Sequence, residues 1–428
     1  MNIAAYPTHE LTSTTQVAHL PVIPSHWEVR RVKYASNLKS EKIASKGCDL
    51  PYIGMENVQS WSGNLLEGGS EVEGLATTFE AGDILFGKLR PYLAKVVKPG
   101  FSGICSSEFL VFQSTKDTFE DFLAYALRSS DFISLINGST YGAKMPRANP
   151  DFIANAEIPF PPLPEQRAIA AFLDNKSAKI DQAVRIKEAQ IKLLRERRQI
   201  LIQQAVTRGL NPDAPMKDSG IDWIGEIPAH WKVKPFTKFC ENVVDYRGKT
   251  PDKVEEGILL VTAKNVREGF LDYKLSREYI KPSDYEMVMS RGKPKCGDIL
   301  FTTEAPLGNF AIVDDESVAL AQRIIKFRLK KQIMPEFVNY FLNSFGFQNN
   351  LATMGTGSTA TGIKASKLNQ LLVIIPPVEE QAVIAEHLIQ SSNKINAGIS
   401  IKEKQISALK EYKTTLINAA VTGKIKVS

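Results

Sequence analysis

Two short segments of the sequence resemble catalytic motifs, and both lack a residue that the chemistry needs. Residues 149–152 read N-P-D-F, close to the N-P-P-F/Y motif of adenine methyltransferases, but the second proline is missing and no glycine-rich cofactor loop precedes it. Residues 247–250 read R-G-K-T and resemble the end of a P-loop, whose spacing needs glycine where Val243 stands. A phosphate-binding turn closed by Gly248 and Lys249 stays open as an interpretation. The sequence therefore predicts no catalytic site and no cofactor in this chain.

Metal and redox chemistry are equally unsupported. The four cysteines are scattered without a C-x-x-C pair, so neither a zinc site nor a disulfide framework is indicated. The five histidines include no H-E-x-x-H or H-x-x-x-H pair. A net charge of +6 allows a polyanionic partner without requiring one. Because no basic start with an apolar run and no long apolar stretch is present, we expect a cytoplasmic protein without membrane contacts.

The chain of 428 residues is too long for one core and contains an internal repeat. The P-P-L-P-E-Q segment at Pro161 returns as P-P-V-E-E-Q at Pro376, 215 positions later. Two further repeated pairs are I-P-S-H-W at Ile23 with I-P-A-H-W at Ile227, and G-D-I-L-F at Gly82 and again at Gly297. Each copy is predicted to be a globular part followed by a helix.

The helical parts predict a coiled coil. After Pro164 no proline or glycine occurs until Gly209, which is long for a globular helix. Steps of four and three define a seam with basic residues at the same two places in each copy. Such a seam can be ordinary helix core, or the two copies can pair, with the polar residues fixing register. The seam residues are Ile180, Val184, Lys187, Ile191, Leu194, Arg198, Leu201 and Ala205, then Ile395, Ile399, Lys402, Ile406, Leu409, Lys413, Leu416 and Ala420.

Pairing of two copies within one chain is simplest in an antiparallel arrangement about an approximate two-fold axis. From Ile180 to Ala205 the seam spans roughly 38 Å at about 1.5 Å per residue. One turn of B-DNA is about 34–36 Å long. The helices therefore have the length of a spacer on that scale.

The predicted fold class is α+β: two globular domains related by a pseudo-two-fold axis and separated by two long antiparallel helices that form a coiled coil. Short β-branched and aromatic runs, each followed by a helical segment, carry the α+β assignment of each globule. The predicted boundaries are an N-terminal tail at 1–20, a first globule at 21–160, a first helix at 161–209, a linker at 210–226, a second globule at 227–375, and a second helix with the C-terminal tail at 376–428.

Loops with cations beside small residues are the candidates for contacting a polyanion. Small residues let backbone amides approach phosphates, while Arg, Thr and Tyr side chains can reach base edges. The alternative for each loop is an ordinary solvated turn. The candidates are Lys88, Arg90, Tyr92, Lys144 and Arg147 in the first globule, and Tyr246, Arg247, Gly248, Lys249, Thr250, Thr302, Thr303, Lys364 and Lys367 in the second. The residues after G-D-I-L-F differ completely between the copies, as two readers of different sequences would need.

These motifs together resemble the specificity subunit of type I restriction-modification enzymes. The resemblance rests on the doubled P-P-x-x-E-Q helix, the W-I-G-E-I-P-A-H-W-K-V segment from Trp223, the G-D-I-L-F strand and the D-Y-R-G-K-T-P segment, and it covers residues 21–428. The first globule departs from the pattern, since it reads A-S-N-L-K-S-E-K from Ala35 where the second has D-Y-R-G-K-T-P.

The resemblance implies a non-catalytic subunit in which two target-recognition domains each read half of a split, asymmetric site on double-stranded DNA. The helices would space the domains and dock two modification subunits, which carry S-adenosylmethionine and methylate adenine; restriction subunits complete the nuclease. By position, the helix starts that frame those subunit contacts are Pro161, Pro162, Glu165, Gln166, Pro376, Pro377, Glu380 and Gln381.

Two other classes of protein fit less well. A self-contained DNA methyltransferase would need the cofactor loop that is missing. A structural coiled-coil scaffold would not need two elaborated globules, and a DNA titration separates this class because a scaffold shows no site preference.

Overall fold

The computed structural model describes residues 6–68, 74–246, 248, 251–304, 306–355, 363 and 365–427. The chain divides into two compact units, the first Met1–Glu188 with Glu403–Ser428 and the second Ala189–Lys402. Each unit is an α+β domain that includes part of both long helices, so the predicted fold class is confirmed. Among the described residues, no helix has an apolar stretch long enough to cross a bilayer.

The first unit is built on two four-stranded sheets, in the orders β4-β11-β8-β9 and β5-β7-β10-β6, with the two-stranded sheets β1-β2 and β12-β3. Its strands are β1 (Thr12–Thr14), β2 (Val22–Pro24), β3 (Glu28–Arg31), β4 (Ser36–Lys39), β5 (Lys42–Ala44), β6 (Tyr52–Ile53), β7 (Leu75–Phe79), β8 (Ile84–Gly87), β9 (Val96–Val97), β10 (Gly103–Ser106), β11 (Phe109–Ser114) and β12 (Glu157–Phe160). The helices are α1 (Val32–Ala35), α2 (Glu120–Leu127), α3 (Ser130–Gly138), α4 (Pro150–Asn155) and α5 (Leu163–Arg208), the last continuing into the second unit.

The second unit repeats the plan, with sheets in the orders β16-β22-β19-β20 and β18-β17-β21 and the pairs β13-β14 and β15-β23. Its strands are β13 (Met216–Asp218), β14 (Glu226–Pro228), β15 (Lys232–Pro235), β16 (Cys240–Asp245), β17 (Ile258–Val261), β18 (Tyr279–Ile280), β19 (Ile299–Thr302), β20 (Phe310–Ile312), β21 (Ala319–Leu320), β22 (Ile324–Leu329) and β23 (Leu372–Ile375). The helices are α6 (Tyr285–Val288), α7 (Pro335–Leu342), α8 (Phe345–Met354) and α9 (Val378–Val421), which continues into the first unit.

The repeated G-D-I-L-F segments form a tight turn followed by a central strand. Gly82 and Gly297 have φ of 93° and 88°, a region that favours glycine. The carboxylates of Asp83 and Asp298 accept backbone N–H bonds from the residues three positions earlier, at 2.8 and 2.9 Å. The strands β8 and β19 that follow are fully buried. The repeat is therefore strongest where the turn and the core constrain each residue.

A duplicated hairpin lies in the segments that the sequence analysis treats as a tail and a linker. Strand β1 pairs with β2 so that Thr12 faces Pro24, and β13 pairs with β14 so that Met216 faces Pro228. Met216 lies 204 positions after Thr12, and Pro228 lies 204 positions after Pro24. This is also the offset between the two I-P-x-H-W segments. Backbone pairing defines this hairpin, and the two first strands, T-S-T and M-K-D, share no residue. The predicted boundaries at 20 and 226 therefore divide a structural element.

The long helices run antiparallel in each unit. In the first unit, Lys413 Nζ of α9 contacts Asp181 of α5 at 2.7 Å, and Lys187 Nζ contacts Gln405 at 2.8 Å. In the second unit, Arg198 of α5 donates a 2.9 Å bond to Asn396. All the predicted seam side chains lie in buried or half-buried positions.

Two of the seam cations have equivalent partners in the two units. Arg198 and Lys413 occupy one repeat position, and their partners Asn396 and Asp181 occupy another, each 215 residues apart. A polar seam residue with a single well-placed partner favours one register over others. These two pairs therefore fix the antiparallel alignment within each unit.

Candidate nucleic-acid interface

Two loops of the first unit meet in what we call the first tip, residues 88–92 and 141–147. Arg90 N donates to Pro146 O at 2.7 Å, and Ala148 N donates to Lys88 O at 2.9 Å. Tyr141 and Arg147 exchange two backbone bonds of 3.0 and 3.1 Å. Two cationic segments that are distant in the sequence thus share one surface.

Three cations of the first tip form no ion pair. Arg90 and Lys144 are exposed, Lys88 is half-buried, and none of the three forms an ion pair with another described residue. Tyr92 is 45% exposed, and Tyr141, which the sequence analysis did not select, is 62% exposed. Unpaired cations beside exposed aromatic rings suit contacts with phosphates and bases.

Arg147 is held in place by an acid. Glu108 accepts bonds from Arg147 Nε at 3.2 Å and Nη2 at 3.0 Å, and this hydrogen bonding raises the pKa of Arg147. The fixed guanidinium keeps one N–H edge directed away from the carboxylate. Such an orientation is what bidentate recognition of a base requires.

The second unit forms a tip on the same backbone frame, residues 302–304, 323 and 363, which we call the second tip. Lys88 N donates to Glu108 O at 2.9 Å, and Thr303 N donates to Arg323 O at 3.0 Å. Ala148 N and Ile363 N likewise donate to the carbonyls of Lys88 and Thr303. Each residue is 215 positions from its counterpart, yet Lys88 corresponds to Thr303 and Glu108 to Arg323. The two units therefore share the backbone hydrogen bonds of this frame, and the side chains at equivalent positions differ.

Three predicted DNA contacts of the second unit are buried side chains. Thr302 and Thr303 are buried at the end of central strand β19, where Thr302 Oγ1 accepts from Asn309 N and Thr303 Oγ1 donates to Arg323 O. Tyr246 is buried, donates its hydroxyl to Gly292 O, and has a pKa raised by burial. Their hydroxyls stabilise the fold, because the sheet and loops cover them; the local sequence does not show this.

The remaining candidates of the second unit are divided. Gly248 is exposed with φ of 134°, and Lys367 is half-buried and donates to Met354 O at 2.8 Å. The exposed Arg291, which the sequence analysis missed, donates to Asp245 O at 2.8 Å and lies beside Gly248. The predicted residues Arg247, Lys249, Thr250 and Lys364 lie outside the described residues.

The glutamates of the P-P-x-x-E-Q segments attach each long helix to its own globule. Glu165 accepts bonds from His26 Nε2 at 2.7 Å and from Trp27 Nε1 at 2.9 Å. Glu380 accepts from Trp231 Nε1 at 2.8 Å and also contacts His230. The repeated H-W dipeptide is thus explained by its hydrogen bonds to the helix start.

The glutamines complete the attachment from inside. Gln166 and Gln381 are fully buried, accepting from Phe119 N at 2.7 Å and Met334 N at 2.8 Å. Each also donates at 2.9 Å to the first proline carbonyl of its motif, Pro161 or Pro376, both buried. Pro162 and Pro377 are exposed at the helix starts. The exposed prolines, and not the buried glutamines, are available to a partner subunit.

Replacing Gln381 with alanine should lower the free energy of unfolding by about 1–3 kcal/mol. The change leaves Met334 N–H and Pro376 O buried without partners, and unpaired buried groups carry that cost. Chemical denaturation followed by fluorescence measures the loss. Glu379→Ala, at an exposed position two residues earlier, serves as the control and should change stability by less than about 0.5 kcal/mol. Equal stabilities for the two variants would contradict the assigned role.

The described residues offer no arrangement of three or more His, Cys, Asp or Glu side chains able to hold a metal ion. Burial raises the pKa of Cys105 and Cys240 to about 12, so these thiols stay protonated near neutral pH. Cys48 is half-buried, while Cys296 is exposed. Among the described residues, neither a metal site nor a reactive buried thiol is therefore indicated.

Comparisons with known proteins agree with this arrangement. The family model described as the type I restriction modification DNA specificity domain matches residues 24–192 and 291–408. The chain is 26% identical over 430 residues to the type I restriction enzyme MjaVIII specificity subunit of Methanocaldococcus jannaschii, covering 95% of this chain and 94% of the relative. It is 26% identical over 300 residues to the EcoKI specificity subunit of Escherichia coli K12, covering 68% and 61% of the two chains.

Solved structures share the fold. One solved chain comes from a study of complex assembly and conformational transition of the type I R-M system. It aligns with a TM-score of 0.71 at 18% identity, over 93% of this chain and 98% of that chain. The HsdS subunit from Thermoanaerobacter tengcongensis aligns with a TM-score of 0.53 at 18% identity, over 94% and 98%. The chain belongs to the family of type I restriction-modification DNA specificity subunits.

Proposed function

We propose that each tip reads one half of a bipartite DNA site, so that this chain supplies the sequence specificity of a type I restriction-modification complex without catalysing a reaction itself. The observation that carries the proposal is the shared backbone frame whose side chains differ between the tips: the half-buried Lys88 of the first tip is replaced by the buried Thr303, and Glu108 by the exposed Arg323. Two tips of one construction and different chemistry suit two different half-sites. Family membership supports a role in DNA sequence specificity.

In the first tip, phosphate and base contacts would be divided between two kinds of side chain. The unpaired Lys88, Arg90 and Lys144 would neutralise phosphates and set the position of the domain on the duplex. Arg147, oriented by Glu108, would donate to the edge of a base, guanine being the usual partner of such a fork. A good bidentate contact of this kind discriminates by about 1–3 kcal/mol.

The helices and the partner subunits would complete the mechanism. We infer that the paired helices α5 and α9 determine the length of the unread spacer and bind two modification subunits. Those subunits would bring S-adenosylmethionine and methylate one adenine in each half-site after extruding it from the duplex. Restriction subunits would join the same assembly to cleave unmodified DNA. The contribution of this chain is binding and positioning alone.

Co-expression with the neighbouring modification subunit, followed by mapping of methylated adenines across the host genome, tests the proposal. A split motif with one constant spacer is the expected result and would identify both half-sites. Methylation at an unbroken motif would show that the two tips do not act as paired readers. A stable complex that methylates nothing would favour the coiled-coil scaffold.

Replacing Lys88 and Lys144 together with alanine should weaken binding to all DNA sequences and lower the salt slope by about two phosphate contacts. The reason is that both lysines are assigned to phosphates, which carry no base information. Fluorescence anisotropy between about 50 and 200 mM salt measures the slope. Lys116→Ala, an exposed lysine following β11 at the opposite end from Lys88, is the control. A change confined to one base position would instead make these lysines base readers.

A further inference from the structure

A groove of about 750 Å³ in the second unit is lined by lysines that the proposed DNA contacts do not use. Its volume is in the range of ligand-binding clefts. It lies beside strand β15, the end of β22 and the start of α9. We call it the basic groove, after the exposed side chains of Lys232, Lys234, Lys238 and Lys330.

The four lysines keep their charge uncompensated. None of them forms an ion pair with another described residue. Glu380 on α9 is held by Trp231, and Asp298 in the adjoining hollow is bonded to Arg328. Glu241 lines the same neighbouring pocket as Asp298, and Lys330 lies between that pocket and the basic groove. One acidic side chain therefore borders the groove on the side of Lys330. The concentration of like charge favours a negatively charged ligand.

The equivalent surface of the first unit is electrically balanced. Arg30 occupies the position of Lys234 on the equivalent strand, 204 residues earlier. It forms ion pairs with Glu28 and Asp117 and lies 3.6 Å from the ring centre of Phe160. The hydrogen bond from Arg30 lowers the pKa of Asp117. The equivalent strand of the first unit thus has the same backbone pairing with an ion-paired cation. The fold therefore does not require the unpaired lysines of the second unit.

The floor of the basic groove is apolar. Phe239, Ile333 and Ile375 line it together with the lysines. Phosphate contacts need cations and amide N–H groups and gain nothing from an apolar floor. A peptide with both carboxylates and apolar side chains satisfies the rim and the floor together, as in protein interfaces with an apolar centre and a polar rim.

The basic groove also lies away from the second tip. Strand β22 has Arg323 of the second tip before its first residue and Lys330 of the groove after its last. A strand of this length, 6 residues, spans about 20 Å. The second tip and the basic groove therefore lie at opposite ends of strand β22.

We propose that the basic groove binds an acidic peptide segment of a protein partner in the restriction-modification complex, with apolar side chains against the floor and carboxylates beside the lysines. The proposal rests on the proposed function only in placing this chain in such a complex. Because the first unit lacks the groove's charge, one segment binds per chain. The acidic segment therefore binds the second unit and not the first, even where other subunits bind both units in the same way.

Charge reversal in the purified complex tests this proposal. Lys232→Glu with Lys234→Glu should weaken binding of this chain to its modification and restriction subunits by about tenfold or more at low salt, since two carboxylates would then face the acidic segment. The matched control is Lys274→Glu with Lys281→Glu, two exposed lysines of the same unit with the same change in charge. Subunit affinities are measured by calorimetry, and DNA affinity by anisotropy, for both variants.

Photo-crosslinking identifies the occupant. With p-benzoylphenylalanine in place of Lys234, the complex assembled on DNA should yield one crosslink, to an acidic segment of a partner subunit. A crosslink to DNA, with a loss of DNA affinity and unchanged subunit affinity in the charge-reversal variant, would make the groove a phosphate site and overturn the proposal. No crosslink and no change in either affinity would also overturn it. Failure of the proposed function looks different, because then the wild-type complex shows no split methylation motif.

Discussion

Deleting one heptad from each long helix should shorten the preferred DNA spacer by about three base pairs. Seven residues remove about 10.5 Å of helix at about 1.5 Å per residue, and one base pair rises about 3.4 Å. Removing residues 192–198 and 396–402 deletes Arg198 together with its partner Asn396. The seam then continues with its spacing of four and three, because a whole heptad is lost from each helix.

Genome-wide methylation mapping with the shortened chain measures the spacer. The original spacing should lose its methylation, and the half-sites themselves should stay the same because the tips are untouched. Deletion from α5 alone is the control, since it misaligns the seam and should abolish assembly. Circular dichroism and gel filtration establish that the doubly shortened chain is folded. An unchanged spacer in a folded, active complex would show that helix length does not set it.

Asp298→Ala should reduce the free energy of unfolding by about 3–5 kcal/mol, the cost of removing one partner from a buried ion pair. The Asp298 carboxylate accepts from Arg328 Nη2 at 2.7 Å and lies 3.3 Å from Lys326 Nζ. Lys326 is 1% exposed, and burial lowers its pKa even beside this acid. Alanine would leave a buried ammonium with the carbonyl of Lys293 as its described partner.

Calorimetry or urea denaturation measures the loss, with Asp252→Ala at an exposed position as the control. A second substitution separates the ion pair from the turn. Val111 of the first unit occupies the position of Lys326, so Lys326→Val should restore part of the stability in the Asp298→Ala background. The part not restored measures the bonds of Asp298 to Lys295 N–H and Arg328. Full stability of the single variant would contradict the assignment.

The domain plan and the helix pairing were predictable because the sequence patterns that indicate them are local and occur in both copies of the repeat. Proline at the helix starts, a run free of helix breakers and a regular spacing of apolar residues depend on backbone geometry within a few turns. The G-D-I-L-F segment was predictable for a related reason, since a positive φ at Gly82 and Gly297 and an adjacent buried strand tolerate few residues. The resemblance to the specificity family rests on these same segments.

The binding surface was predictable only in part. The first tip was found because its cations stand beside glycine and proline in the sequence, although its two loops meet only through backbone bonds such as Arg90 N to Pro146 O. Thr302, Thr303 and Tyr246 were selected although the structure buries them, since the sequence of a polar residue after a strand does not show whether sheet neighbours cover it. Arg291 and Tyr141 were missed because no local motif marks them.

The sequence by itself determined that this protein is a duplicated pair of α+β globules on long helices, with a seam whose cations recur at equivalent positions. Only the tertiary structure decided which side chains are exposed and which cations form ion pairs. Lys232 and Lys330 converge on one groove although 98 positions separate them, while Arg30 of the first unit is neutralised by Asp117 from a distant loop. The physical reason is that periodicity and backbone preference act between near neighbours, whereas burial and charge pairing depend on which distant strands the fold brings together.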